Sequence, residues 1–213
     1  MKTKTIYIIV LLLAAYVICQ AIADVGATKM VQIGNVVLPG GTFIFALTFT
    51  LRDVIHKRLG KEWARAAIVA AGVMNILQAG YLASIARLPS PPFFALSESW
   101  SAIFSVVPAI TIASITAEVV SELLDTEVYH TWKTKLPKAP QWSRVLVSNA
   151  ISLPIDSIIF GALAFTILPP LFGSEALPIL VALSLSMGQI IYKAIITVIS
   201  LPLIYFVKEE SII

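Results

Sequence analysis

Asp156 stands in "SNAISLPIDSIIFGALAF" (148–165) and Lys193 in "GQIIYKAIITVI" (188–199), two runs that are otherwise almost wholly apolar. A charged group inside such a span costs a few kcal/mol unless it has a partner or a task. Each belongs to a polar stripe, because residues three, four or seven apart share one face of a helix. Asn149, Ser152 and Asp156 form one stripe, and Ser186, Gln189, Lys193, Thr197 and Ser200 a second. Thr111, Ser114, Glu118, Glu122 and Asp125 form a third, and Asn75 with Gln78 a smaller fourth. Lipid offers these faces no hydrogen-bond partners, so they are expected to point at one another.

With a rise of about 1.5 Å per residue, Asp156 and Lys193 both come out near mid-membrane, which predicts an ion pair between them. Glu118 is expected deeper toward the cytoplasm. Together the three are more ionisable groups than packing requires, and they mark a polar cavity for binding or permeation. Glu122 and Asp125 approach the interface and read as solvated interfacial acids. Single Ser, Thr, Asn and Gln residues read as bundle contacts of about 1 kcal/mol each.

The elements that must position these groups are spanning helices of about 20 apolar residues each. Six are predicted, over 5–25, 38–55, 64–87, 101–124, 145–169 and 176–206, with short connections and no soluble domain. The expected fold is therefore all-α, a single polytopic membrane domain over 1–213. Composition agrees: 58% of the 213 residues are hydrophobic and 13% charged, where soluble domains carry about 25% charged residues. The first segment, "MKTKTIYIIVLLLAAYVICQAIAD", imitates a secretory signal with Ala21-Ile22-Ala23 before Asp24, and is expected to be retained as helix 1. Pro154 and Pro202 fall inside predicted helices, where each frees a carbonyl and favours a kink.

Charge placement sets the orientation. Lys2, Lys4, Arg52, Lys57, Arg58, Lys61, Arg65, Lys133, Lys135, Lys138, Arg144 and Lys208 fall on the side of the N-terminus, and Lys29 and Arg87 on the other. That bias places both termini in the cytoplasm. Trp63, Trp132 and Trp142 near the inner boundary and Trp100 near the outer one fit aromatic belts. The net charge of +3 thus orients the chain in an inner or plasma membrane and is no nucleic-acid footprint. His56 and His130 lie in charged segments at helix ends and read as interfacial.

Other chemistry lacks its residues. The sequence has no GxxxxGK[ST] phosphate loop and no HExxH, and its single cysteine, Cys19, permits neither an internal disulfide nor a thiol metal cluster. No enzyme activity, cofactor or metal is expected.

Four segments, "FALTFTLRDVIHKRLGKEWAR", "SELLDTEVYHTWK", "LVSNAISLPIDSIIF" and "QIIYKAIITVISLPLIY", together resemble the queuosine precursor transporter family, in the right order and over nearly the whole chain. Asp53, Val54, Gly60, Ala64 and Arg65 match the family's N-D-V-x-T-E-V-Y-G-x-x-x-A-R segment, while Arg52, Lys57 and Leu59 replace its Asn, Glu and Tyr. Asp156 and Phe160 match its D-S-x-x-F, and Lys193 and Pro202 its last-helix pattern. The resemblance implies a six-helix importer of 7-deazaguanines: preQ0, preQ1 or queuine. Such a base presents N–H donors from N1 and its 2-amino group, which one carboxylate accepts together, and an O6 acceptor suited to an amine or amide. The expected site lies among helices 3 to 6. It comprises Asp156, Lys193, Glu118, Gln189, Asn75, Gln78 and Asn149, with Phe160 and Phe45 as stacking surfaces beside Phe43 and Tyr192. The expected partners are a nucleobase-like substrate and the bilayer, with a homodimer or a separate energising module open. In the rival reading the chain is the substrate-binding component of an ATP-driven vitamin-type uptake system, docking its module through Ala14, Ala15, Ala23 and Ala27. A membrane scaffold or enzyme using the acids structurally is the third.

Overall fold

The computed structural model describes residues 3–136 and 138–206; Lys2 and Lys208 of the charge count lie outside the described residues. Six helices of 18 residues or more carry the chain: α1 (Thr3–Gly26), α2 (Thr42–Leu59), α3 (Lys61–Ala86), α5 (Val107–Lys135), α6 (Gln141–Ala162) and α7 (Ile179–Phe206). A short α4 (Ser97–Phe104) precedes α5. The all-α polytopic expectation holds, because five segments are long and apolar enough to cross a bilayer: Ile6–Gly26, Glu62–Ala86, Ser97–Glu122, Val145–Ile167 and Ile179–Pro202.

The sixth long helix, α2, is too polar to be among those five. Ten of its 18 residues are buried, Thr48, Thr50 and Arg52 among them. A helix walled in by α1, α3 and α7 can hold polar side chains that a lipid-facing helix cannot. Its bounds also shift from the expected 38–55, since Pro39, Gly40 and Gly41 remain outside the helix. Arg52, Lys57 and Arg58, expected in a cytoplasmic loop, belong to α2 itself, and Gly60 alone separates α2 from α3.

Other boundaries move for similar local reasons. Pro108 sits in the first turn of α5, where its missing N–H is harmless. That helix runs 11 residues past its expected end at 124, to Lys135. Helix α6 keeps Pro154 inside it, then loosens into a π-helical stretch, Leu163–Ile167, and a 3-10 turn, Pro169–Phe172.

A two-stranded hairpin between α1 and α2 was not expected. Strand β1 (Met30–Ile33) pairs antiparallel with β2 (Val36–Pro39), Ile33 opposite Val36. Gly34 takes φ +59° at the first turn position, a conformation that favours glycine. The hairpin joins the C-terminal end of α1 to the N-terminal end of α2, and β2 packs on α7. There a Cβ at Gly188 would stand 2.5 Å from the Val37 carbonyl oxygen and 3.0 Å from Val36 Cγ1. Gly188→Leu should therefore destabilise the protein by about 1–3 kcal/mol, read as a lower melting temperature in detergent. An unchanged melting curve would mean that the hairpin does not need this seat.

Candidate functional site

The third stripe holds the site together. On α5, Thr111, Ser114, Glu118, Ser121, Glu122 and Asp125 follow one another down one face, and nearly all of them meet a group from another helix. Near the start of α5 the Thr111 hydroxyl donates to Asp24 Oδ2 at 2.9 Å. Midway, Tyr16 and Gln20 of α1 both donate to Glu118 Oε1, at 2.5 Å each. The Ser121 hydroxyl donates to Asp156 Oδ1 at 3.3 Å. Further along α5, Arg52 donates to Glu122 at 2.8 Å and to Asp125 at 3.3 Å.

Lys193 Nζ lies 2.5 Å from Asp156 Oδ2, and both residues are 1% exposed. The ion pair expected from helix spacing is thus present. The ammonium also lies 4.8 Å from the Phe45 ring centroid and 5.9 Å from that of Phe49, close enough for cation–π attraction. The pair faces a narrow cavity of about 20 Å³, room for little more than one water. Asp24, Ala27, Gly41, Phe45, Ser114, Phe160 and Gln189 complete most of its wall. Gln189 is 2% exposed, and its Nε2 has no hydrogen-bond partner among the described residues. Buried amides are normally satisfied, so an idle donor on a cavity wall is a candidate ligand contact.

The expected residues distribute unevenly around this cavity. Asp156, Lys193, Gln189, Phe45 and Phe160 line it. Glu118 lines a second void with Tyr16, Phe45, Thr48, Phe49, Arg52 and Glu122. Asn75 is buried on α3 beside the Asp24 carboxylate and does not line the cavity. Asn149 is buried away from the cavity, its Oδ1 unpartnered. Gln78 is half-buried and donates to the Ala21 carbonyl at 3.2 Å, tying α3 to α1. Phe43 and Tyr192 stack edge-on against each other at 5.5 Å, and Phe160 against Phe165 at 5.6 Å.

Three expectations are corrected. The cavity lies among α1, α2, α5, α6 and α7: three of the expected helices 3 to 6 line it, while α1 and α2 supply the wall that α3 was expected to give. Glu122 and Asp125 are not solvated acids. Their side chains are 14% and 13% exposed and both pair with Arg52, itself 9% exposed. Ala23 and Ala27, expected on a docking face, are buried inside the bundle.

Tyr16, Gln20 and Asp24 had no assigned role. Their signal was present: each follows the last by four residues, a polar stripe on helix 1 hidden by the secretory-signal pattern.

Among known proteins, the family described as "Putative vitamin uptake transporter" matches residues 39–207. A Bacillus subtilis (strain 168) protein named "Probable queuosine precursor transporter" is 26% identical over 189 residues, 88% of this chain and 79% of the relative. No solved structure matches the chain.

Proposed function

The chain belongs to the family described as "Putative vitamin uptake transporter", and from that premise we propose that it imports queuosine precursors by alternating access around the Asp156–Lys193 cavity. The substrates proposed are 7-deazaguanines, preQ0 and preQ1 first, with queuine as a third. The name of the Bacillus subtilis relative supports the substrate class. The observation that carries the reading is a buried carboxylate, a buried ammonium and an idle amide on one cavity wall within the spanning helices.

A guanine-like edge offers two parallel N–H donors, and a carboxylate accepts both. Asp156 fits that role once Lys193 releases it. Lys193 and Gln189 Nε2 then turn to O6 as donors, while Phe45 and Phe160 offer ring faces to the base. A cavity of about 20 Å³ is too small for a purine-sized ring, so entry must part the walls and exchange the internal ion pair for ligand contacts. The ion pair thus closes the empty site, and the ligand replaces the contacts it breaks. The hairpin and the Arg52 cluster flank the cavity on the outer and cytoplasmic sides, where alternating openings have to occur.

Binding of preQ0, preQ1, queuine and guanine to the purified protein tests the class, with uptake into proteoliposomes testing transport. Asp156→Asn is expected to lower uptake at least 100-fold at normal expression, since the amide offers one acceptor and one donor group where the base edge needs two acceptors. Wild-type uptake in that variant would sink the reading. Uptake by this chain alone in proteoliposomes separates it from the module-dependent alternative.

A further inference from the structure

Asp24 has a setting that the ion pair does not explain. It is 3% exposed, lines the same cavity as Asp156, and accepts a hydrogen bond from Thr111. Ser114 and Asn75 flank the carboxylate from α5 and α3. Among the described residues no Lys or Arg pairs with it; the cavity's one ammonium, Lys193, is bound to Asp156. The cavity therefore holds two carboxylates and one fixed cation. A buried carboxylate with hydroxyl and amide neighbours alone is costly. That cost is relieved when a cation enters.

A further observation points to a ligand there. Gln189 Nε2, on the α7 wall of the same cavity, is buried and idle. A waiting donor in a cavity that also holds an unpaired carboxylate suits a molecule with an acceptor on one part and a cation on another.

We infer that Asp24 is a specificity-determining residue that binds a primary ammonium group on the substrate, so that aminomethyl 7-deazaguanine is preferred over its neutral nitrile counterpart. This rests on the proposed deazaguanine substrate class. Asp156 and Gln189 take the base, while Asp24 takes the side-chain cation with Thr111 steadying its carboxylate. A charge-assisted hydrogen bond contributes about 1.5–3 kcal/mol, which corresponds to roughly ten-fold or more in affinity.

The test is calorimetric binding of preQ1, which bears the amine, and preQ0, which bears the nitrile, to wild type and Asp24→Asn. Wild type should bind preQ1 at least ten-fold tighter than preQ0. In Asp24→Asn, preQ1 affinity should fall at least ten-fold while preQ0 changes less than three-fold. An equal loss for both bases, or no loss for either, overturns the assignment while leaving the transport reading intact. Binding of neither base by wild type overturns both. A second measurement needs no variant: the neutral hydroxymethyl analogue should bind wild type at least ten-fold more weakly than the amine, and equal binding overturns the inference. So does sodium that strengthens both bases equally, because Asp24 would then hold an inorganic ion.

Discussion

Lys193→Met should destabilise the protein by about 3–5 kcal/mol, the usual effect of leaving one member of a buried ion pair without its partner. Asp156 is 1% exposed and would keep only the weaker bond from Ser121. Methionine occupies a similar length, so the loss reports the missing charge more than missing volume. The double variant Asp156→Asn/Lys193→Met removes both charges and should recover most of that stability, because neutral groups of similar shape leave nothing ionised in the interior. Uptake should stay lost in the double variant. Chemical denaturation in bicelles reads the stability and proteoliposome uptake the transport. A double variant that is both stable and active would reduce the pair to a structural contact. One that is stable and inactive separates the pair's contribution to transport from its contribution to folding.

Arg52→Met should be comparably damaging, by about 3–5 kcal/mol, for a different local reason. The guanidinium serves three carboxylates: Asp53 at 3.5 Å, Glu122 at 2.8 Å and Asp125 at 3.3 Å. Its loss leaves three acids crowded together without the guanidinium that serves all of them. It also removes the contact over the Phe49 ring, 5.4 Å from the guanidinium carbon. Adding Glu122→Gln to Arg52→Met should restore part of the stability, since Glu122 makes the shortest of the three bonds. If Arg52→Met melts like wild type, the cluster is solvated after all and does not join α2 to α5. Arg52→Lys should fall between, because an ammonium lacks the planar fork that reaches several carboxylates at once.

Membership of an all-helical membrane class was legible in composition and in runs of about 20 apolar residues, since the bilayer imposes that length on any spanning helix. The Asp156–Lys193 pair was legible too, because rise per residue converts sequence position into depth, and two opposite charges at one depth have few other partners. The stripe on α5 followed from helical spacing alone. Spacing says which residues share a face; it does not say which helix that face meets. Thus Glu122 and Asp125 read as solvated until Arg52 was placed against them, and Arg52 itself read as a loop residue because its neighbours are charged. The hairpin over 30–39 was hidden by its short strands, too brief for alternation to stand out. Helix α1 passed for a signal-like segment, although Tyr16, Gln20 and Asp24 repeat every four residues.

The sequence by itself thus determined the membrane class of the protein, the pairing of Asp156 with Lys193 and the faces on which its polar groups ride, because these depend on local spacing and transfer energies. Only the tertiary structure decided that α1 and α2, not α3, wall the cavity, and that Asp24 enters it with no Lys or Arg paired to it among the described residues. Those facts depend on how six helices pack around one another, a choice made by contacts far apart in the chain.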